Sequence, residues 1–221
     1  MNMTDGILLI DKPAGMTSFG VVARVRRVLS RQNNKKMKVG HTGTLDPFAT
    51  GLMILVIGKE CKNAGNYSKM DKVYQATIRL GQISTTGDIE GEITDVSDKI
   101  PTVDEVKTAL SKFTGEITQR PPIYSAIKID GRRAYDLARA GKTVEMPERQ
   151  ITIHSLELID YTYPEICIKT HVSSGTYIRT LAEDIGKELE TGAYCTQLRR
   201  ISIADWNVNQ AKLLSEMGII D

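Results

Sequence analysis

The sequence predicts an α+β fold, with a mixed and largely antiparallel sheet flanked by helices. Three observations lead there. Apolar–polar alternation marks several strands, and helical periodicity marks the longer segments between them. The two kinds of segment follow one another without the strict strand–helix–strand alternation of a parallel sheet. A chain of 221 residues, 41% of them hydrophobic, is long enough to bury one sizeable core. No Pro-, Ser- or Gly-rich linker divides it, so a single domain over residues 1–221 is expected.

The elements follow in chain order. GILLIDK, from Gly6, reads as a short buried strand. TSFGVVARVRRVLS then reads as a helix, with Ser18 as N-cap and Val21, Val22, Val25, Val28 and Leu29 on one face. LMILVIG is a continuous apolar run, short enough for a central strand. In KVYQATIRLG, Tyr74, Ala76, Ile78 and Leu80 share one face of a strand. TTGDIEGEIT, with its glycines and acids, is a loop or hairpin. PTVDEVKTALSKF is an amphipathic helix in which Thr102 and Glu105 have capping-box spacing and Val103, Val106, Leu110 and Phe113 form the stripe. The polar, proline-containing stretch over about 119–150 reads as a protruding insertion, with a short helix over Ala134–Ala140. QITIHSLELIDY and EICIKTHV alternate as strands. SSGTYIRTLAEDIGKELETG is a helix with Ile178, Leu181, Ala182, Ile185 and Leu189 on one face and Gly192 suited to its C-terminal cap. TQLRRISIADW is strand-like, and NQAKLLSEM a final short helix.

Charge and cysteine usage narrow the function classes. The net charge is only +2, yet Arg24, Arg26, Arg27, Arg31, Lys35, Lys36 and Lys38 form a run without an acid. Such a run is either a solvated helix face or a phosphate-contacting patch. Cys61, Cys167 and Cys195 are far apart and have no ligand spacing, so no metal site is expected and a reducing compartment is. The N-terminal apolar run is too short for a signal peptide, and no segment is long enough to span a bilayer, so the expected location is the cytoplasm, away from membranes.

The chemistry concentrates in GHTGTLDPFATG, Gly40 to Gly51. Asp-Pro is an ordinary helix start, with Asp46 as N-cap and Pro47 at the first helical position. That reading leaves GHTGT unexplained: Gly40 and Gly43 permit close backbone approach to a ligand, and His41 can stack or hydrogen-bond. Arg179 sits in the first turn of its helix, where the macrodipole disfavours a cation. Glu183 one turn on is a local partner; an anion outside the helix, either substrate phosphate or Asp46, explains the placement better. Tyr74 projects from an apolar strand face, as a core tyrosine or as a hydroxyl emerging at the rim.

GHTGTLDPFATGLM closely resembles the signature loop of the TruB family, the synthases that make pseudouridine in the T-loop of tRNA. DKPAGMTS, KVYQATIRLGQISTTGDIEG, QRPPIYSAIKIDGRRAYDLARAG, SSGTYIRTLAEDIG and LRRISI are similar to further motifs of that family, in its order. The resemblance implies a pseudouridine-synthase fold in which Asp46 is the catalytic aspartate, Tyr74 stacks beside the target base and Arg179 partners the aspartate. It makes His41 the residue that wedges into the T-loop where the uridine leaves, and Tyr177 and Leu198 part of the base pocket. Lys12 falls in the first motif, where a role in stabilising the pocket is implied. The isomerisation breaks the C1′–N1 bond, turns the uracil and rejoins it through C5; no electron or group enters or leaves, so no cofactor is expected. The flipped uridine costs a few kcal/mol to extrude. The Arg24–Lys38 run, with Arg132, Arg133, Arg139 and Lys142 of the insertion, is expected to grip the T-arm of tRNA.

The implied partner is therefore tRNA, with no membrane, no metal and no obligatory protein partner. Two other readings stand beside this one: a guide-RNA-dependent enzyme of the same superfamily acting on ribosomal RNA, and a non-catalytic tRNA-folding chaperone. Family members commonly continue into a small RNA-binding domain of the PUA type; with the sequence given running to Asp221, the expectation is a catalytic domain without one.

Overall fold

A computed structural model describes residues 3–125, 127–129, 131–134, 137 and 145–219. The chain divides into two compact units, Met1–Gln75 with Gln197–Asp221, and Ala76–Thr196. The strands are β1 (Gly6–Lys12), β2 (Val39–His41), β3 (Thr50–Ile57), β4 (Lys72–Leu80), β5 (Gln82–Ser84), β6 (Ile93–Asp95), β7 (Gly115–Gln119), β8 (Lys128–Ile129), β9 (Arg132–Arg133), β10 (Arg149–Thr162), β11 (Glu165–Val172), β12 (Ala193–Ile203) and β13 (Trp206–Asn207). The helices are α1 (Ser18–Gln32), α2 (Ala64–Ser68), α3 (Val103–Ser111) and α4 (Ile178–Glu188).

In the first unit β3 is the centre, as its unbroken apolar run predicts: every residue from Gly51 to Ile57 is buried. β1 pairs with it antiparallel from Gly6↔Ile57 to Lys12↔Gly51, β2 pairs antiparallel at Val39↔Ile57, and β12 pairs parallel at Arg199↔Thr50 and Arg200↔Gly51. One face holds Leu52, Ile54, Ile203 and Val208, closed over by Tyr67, Met70 and Trp206. α1 buries Val21, Val22, Val25 and Leu29, the stripe that its spacing predicts. Its cap differs from expectation. Thr17, not Ser18, accepts from the Gly20 N–H at 3.0 Å, because the Ser18 hydroxyl is committed elsewhere.

In the second unit, which β4 enters at Ala76, the strands β4, β11, β10 and β7 are neighbours in that order. β10 pairs antiparallel with β11 and with β7. Tyr74, Ala76, Ile78 and Leu80 of β4 are all buried, as the alternation requires. β5 and β6 form the hairpin allowed for the Gly- and acid-rich stretch. α3 carries the predicted capping box: Thr102 Oγ1 accepts from Glu105 N–H, and the Glu105 carboxylate accepts from Thr102 N–H at 2.7 Å. Its stripe is narrower than predicted, with Val106, Ala109 and Leu110 buried and Val103 exposed. α4 buries the whole predicted face of Ile178, Leu181, Ala182, Ile185 and Leu189. It ends at Glu188, and Glu190 and Gly192 both take positive φ as the Thr191 and Gly192 N–H groups turn back to the Gly186 carbonyl. Gly192 thus closes the turn beyond the cap rather than the cap itself.

Two expectations fail locally. The final helix is replaced by single 3-10 turns at Val208–Gln210 and Ser215–Met217. Between them Lys212 pairs with β1: its N–H donates to Leu9 and its carbonyl accepts from Asp11, both at 3.0 Å, and this holds the chain extended. Asp46-Pro47 does not begin a helix either. The Ala49 N–H closes a turn on the Asp46 carbonyl at 3.2 Å, and the chain enters β3 at Thr50. Most of the helix predicted over Ala134–Ala140, with Arg139, Lys142 and the side chain of Arg133, lies outside the described residues.

Candidate active site

The Asp46 loop belongs to the first unit and is held by hydrogen bonds at several backbone positions. At its start the Thr42 N–H and hydroxyl both donate to the Ile54 carbonyl, at 3.2 and 3.3 Å. The Ser18 hydroxyl accepts from Leu45 N–H and donates to Leu45 carbonyl, each at 2.8 Å. The Pro47 carbonyl accepts from Gly15 N–H at 2.9 Å and from Lys12 Nζ at 3.1 Å. Leu45 and Phe48 are buried as anchors, and Asp46 between them is half-buried. Such a loop holds its carboxylate in place without a helix.

Buried cations grip the loop's backbone. Lys12 is wholly buried and also donates to the carbonyls of Pro13 and Met16, at 2.8 and 2.6 Å. Arg200 is 1% exposed; its Nε donates to the Leu52 carbonyl at 2.7 Å and its Nη2 to the Gly43 carbonyl at 3.1 Å. Lys72, on the buried face of β4 two residues before Tyr74, donates to the carbonyls of Ser68 and Met70. Burial and, next, the Arg200 guanidinium bring its ammonium down to about 8, with Asp71 opposing the shift. The close pack also explains Gly51. Its φ is +104°, and a Cβ there would lie 2.7 Å from the Arg200 backbone nitrogen on β12.

Of the residues singled out from sequence, Lys12, His41, Asp46, Tyr74 and Leu198 lie in the first unit. His41 ends β2 opposite Leu55 and is half-buried; Tyr74 and Leu198 are buried. Arg179 and Tyr177 lie in the second unit. Arg179 is 4% exposed, and an anion faces it as its place against the macrodipole demands: Asp88 Oδ2 lies 3.3 Å from Nη1. Nη1 also donates to the Thr86 carbonyl at 2.7 Å and Nη2 to the Tyr124 carbonyl at 2.9 Å. Asp88 is itself buried, its Oδ1 accepting from the Thr86 hydroxyl at 2.6 Å and from Glu90 N–H at 2.9 Å. Glu183, the local partner considered from sequence, feels the Arg179 charge and packs its Oε1 against Gly87, where a Cβ would sit 2.5 Å away. Tyr177 caps the entry to α4. The Gln119 side-chain amide donates to its carbonyl at 3.0 Å and accepts from its N–H at 2.8 Å, and the Arg149 guanidinium lies 5.7 Å from its ring centroid.

Sequence reasoning missed Asp88, Lys72, Arg200 and Gln119. Two of the four had a readable signal: Lys72 shares the parity of Tyr74 on an apolar strand face, and Asp88 ends a Thr-x-Asp turn that can bond its own backbone. Arg200 and Gln119 become recognisable only when distant segments meet.

Comparison with known proteins places this architecture. The fold is that of the pseudouridine synthases. It superposes on a chain of a Cbf5–Nop10–Gar1 complex with a TM-score of 0.71 at 27% identity, covering 95% of this chain and 52% of the other, so the chain spans about half the length of that relative. The model of the TruB family pseudouridylate synthase N-terminal domain matches residues 26–178. A tRNA pseudouridine synthase B of Cupriavidus pinatubonensis (strain JMP 134 / LMG 1197) is 45% identical over 217 residues, 96% of this chain and 67% of that protein. One of Burkholderia mallei (strain NCTC 10247) is 44% identical over 213 residues, 96% of this chain and 69% of that protein. The chain belongs to the TruB family.

Proposed function

We propose that the protein isomerises a uridine in the T-loop of tRNA to pseudouridine, in the cytoplasm, with Asp46 as the catalytic carboxylate. The observation that carries this reading is the half-buried Asp46 on a loop whose carbonyls are gripped by buried Lys12 and Arg200, with Lys72 alongside. A loop that only bound RNA phosphate would have no use for a carboxylate at the centre of so firmly held a backbone. Ionised, that group can attack as a nucleophile or take a proton at the sugar. Tyr74 supplies a ring beside the uracil and Leu198 an aliphatic wall, which keep the detached base from water. The family resemblance assigns Tyr177 to the target base, and His41 to the gap that the extruded uridine leaves. Arg179 is assigned to the carboxylate as its guanidinium partner on the strength of the family motif it completes. The half-exposed and exposed basic groups of Arg24–Lys38, with Arg132, hold the T-arm through its phosphates.

The test is release of tritium from tRNA labelled at uracil C5, which follows bond formation at that carbon. Asp46→Asn is expected to reduce release by on the order of 10³-fold or more while tRNA binding stays within a few-fold. Release by Asp46→Asn at the wild-type rate would remove the carboxylate from the chemistry. Tight binding with no release by the wild type would turn the assignment to a tRNA-folding chaperone.

A further inference from the structure

The side chain at position 18 is spent in an unusual way for the first residue of a helix. Thr17 already caps α1. This leaves the Ser18 hydroxyl, 3% exposed, free to reach a segment 27 residues away and close on both main-chain groups of Leu45. One hydroxyl that accepts from an N–H and donates to a carbonyl of the same residue fixes two peptide planes at once. The carbonyl it holds belongs to the Leu45–Asp46 peptide. On the far side, Pro47 has no N–H to hold, but its ring restricts the residue before it. The Asp46 carbonyl, which belongs to the Asp46–Pro47 peptide, accepts from Ala49 N–H at 3.2 Å. Both peptide planes that determine the Asp46 backbone are therefore immobilised, and the direction of its Cα–Cβ bond with them.

We infer that Ser18 is a positioning residue for Asp46: its hydroxyl sets the orientation of the carboxylate without touching substrate. This rests on the reading of Asp46 as the catalytic group. A carboxylate that must approach a sugar or ring carbon loses rate steeply with small displacements, because the reacting atoms leave the productive geometry. Deleting the hydroxyl would release the Leu45–Asp46 peptide while leaving the RNA-binding surface unaltered. The cost should fall on the chemical step and spare substrate affinity.

The experiment compares the wild type, Ser18→Ala, Ser18→Thr and Asp46→Asn on a T-arm RNA labelled at uracil C5, measuring single-turnover tritium release at saturating enzyme and binding separately. Ser18→Ala is expected to slow release by about 30- to 100-fold with the Kd within about threefold of wild type. Ser18→Thr, which keeps the hydroxyl, should recover to within about tenfold of wild type. The inference is overturned if Ser18→Ala releases tritium at the wild-type rate, if its loss lies in Kd alone, or if Ser18→Thr is as slow as Ser18→Ala. If Asp46→Asn is inactive and Ser18→Ala is normal, only the role of Ser18 falls. If Asp46→Asn is active, the assignment of Asp46 falls as well. Should Ser18→Ala not fold, amide exchange of Leu45 in the wild type decides: slow exchange supports the clamp, and exchange at the rate of an open loop overturns it.

Discussion

Lys72 shows at the scale of one residue what the site costs. Its ammonium is buried beside Arg200 and falls from the ordinary 10.5 to about 8. Between about pH 8 and 10.5 the unfolded chain therefore keeps a proton that the folded chain has released, and stability rises with pH across that window. Thermal unfolding of the wild type and of Lys72→Met at several pH values checks this: the rise should be present in the first and missing from the second. Glu183 has the opposite sign. Burial raises its carboxyl above the ordinary 4.5; Lys187 and Arg179 oppose the rise, and Asp184 and Asp88 add to it. The folded protein holds this proton more tightly, so the stability it confers is present at low pH and lost as pH climbs through the raised value. Glu183→Gln should unfold at a higher temperature than the wild type near neutral pH, with the gap closing below pH 4.5.

Among the elements, the junction of β3 with β12 is the least tolerant. Gly51 combines a φ of +104° with close packing against the Arg200 backbone, so neither strain nor overlap can be relieved by a side chain swinging aside. Gly51→Ala is expected to cost on the order of 3 kcal/mol, read as a lowered urea midpoint. Loss of the α3 capping box is milder: Thr102→Ala should cost about 1 kcal/mol. These elements also show what a sequence can and cannot disclose. β3, the β4 face, the α4 stripe and the α3 box each follow from a pattern contained within the segment. The cap of α1 and the missing terminal helix do not, because each is decided by a distant partner: Leu45 for Ser18 and β1 for Lys212. The site divides the same way. Asp46 stands out by its glycine-rich surroundings, whereas the Arg200 grip on Gly43 and the Asp88 partner of Arg179 join segments far apart in the chain.

For the molecule as a whole, charge placement matters more than net charge. A balance of +2 says little, yet Arg27, Arg31, Lys35, Lys36 and Lys38 are all exposed within one stretch of the first unit. Replacing these five with glutamine should weaken tRNA binding and flatten its salt dependence, by about 0.7 to 0.9 in the logarithmic slope for each phosphate that is no longer neutralised. An unaltered slope would mark the run as a solvated face. The catalytic rate at saturating tRNA should change little, since none of these groups belongs to the Asp46 loop.

The amide of Gln119 has a consequence for how the protein ages. It cradles Tyr177 by offering a nitrogen to a carbonyl and an oxygen to an N–H, at 3.0 and 2.8 Å. Hydrolytic deamidation would leave the shape untouched and swap that nitrogen for oxygen, so that two electronegative atoms face each other in a site 1% open to water. Gln119→Glu mimics the lesion. It should loosen the entry to α4 more than its near-perfect isostery suggests, seen as faster amide exchange at Tyr177 and a lower melting temperature above the carboxyl's pKa than below it.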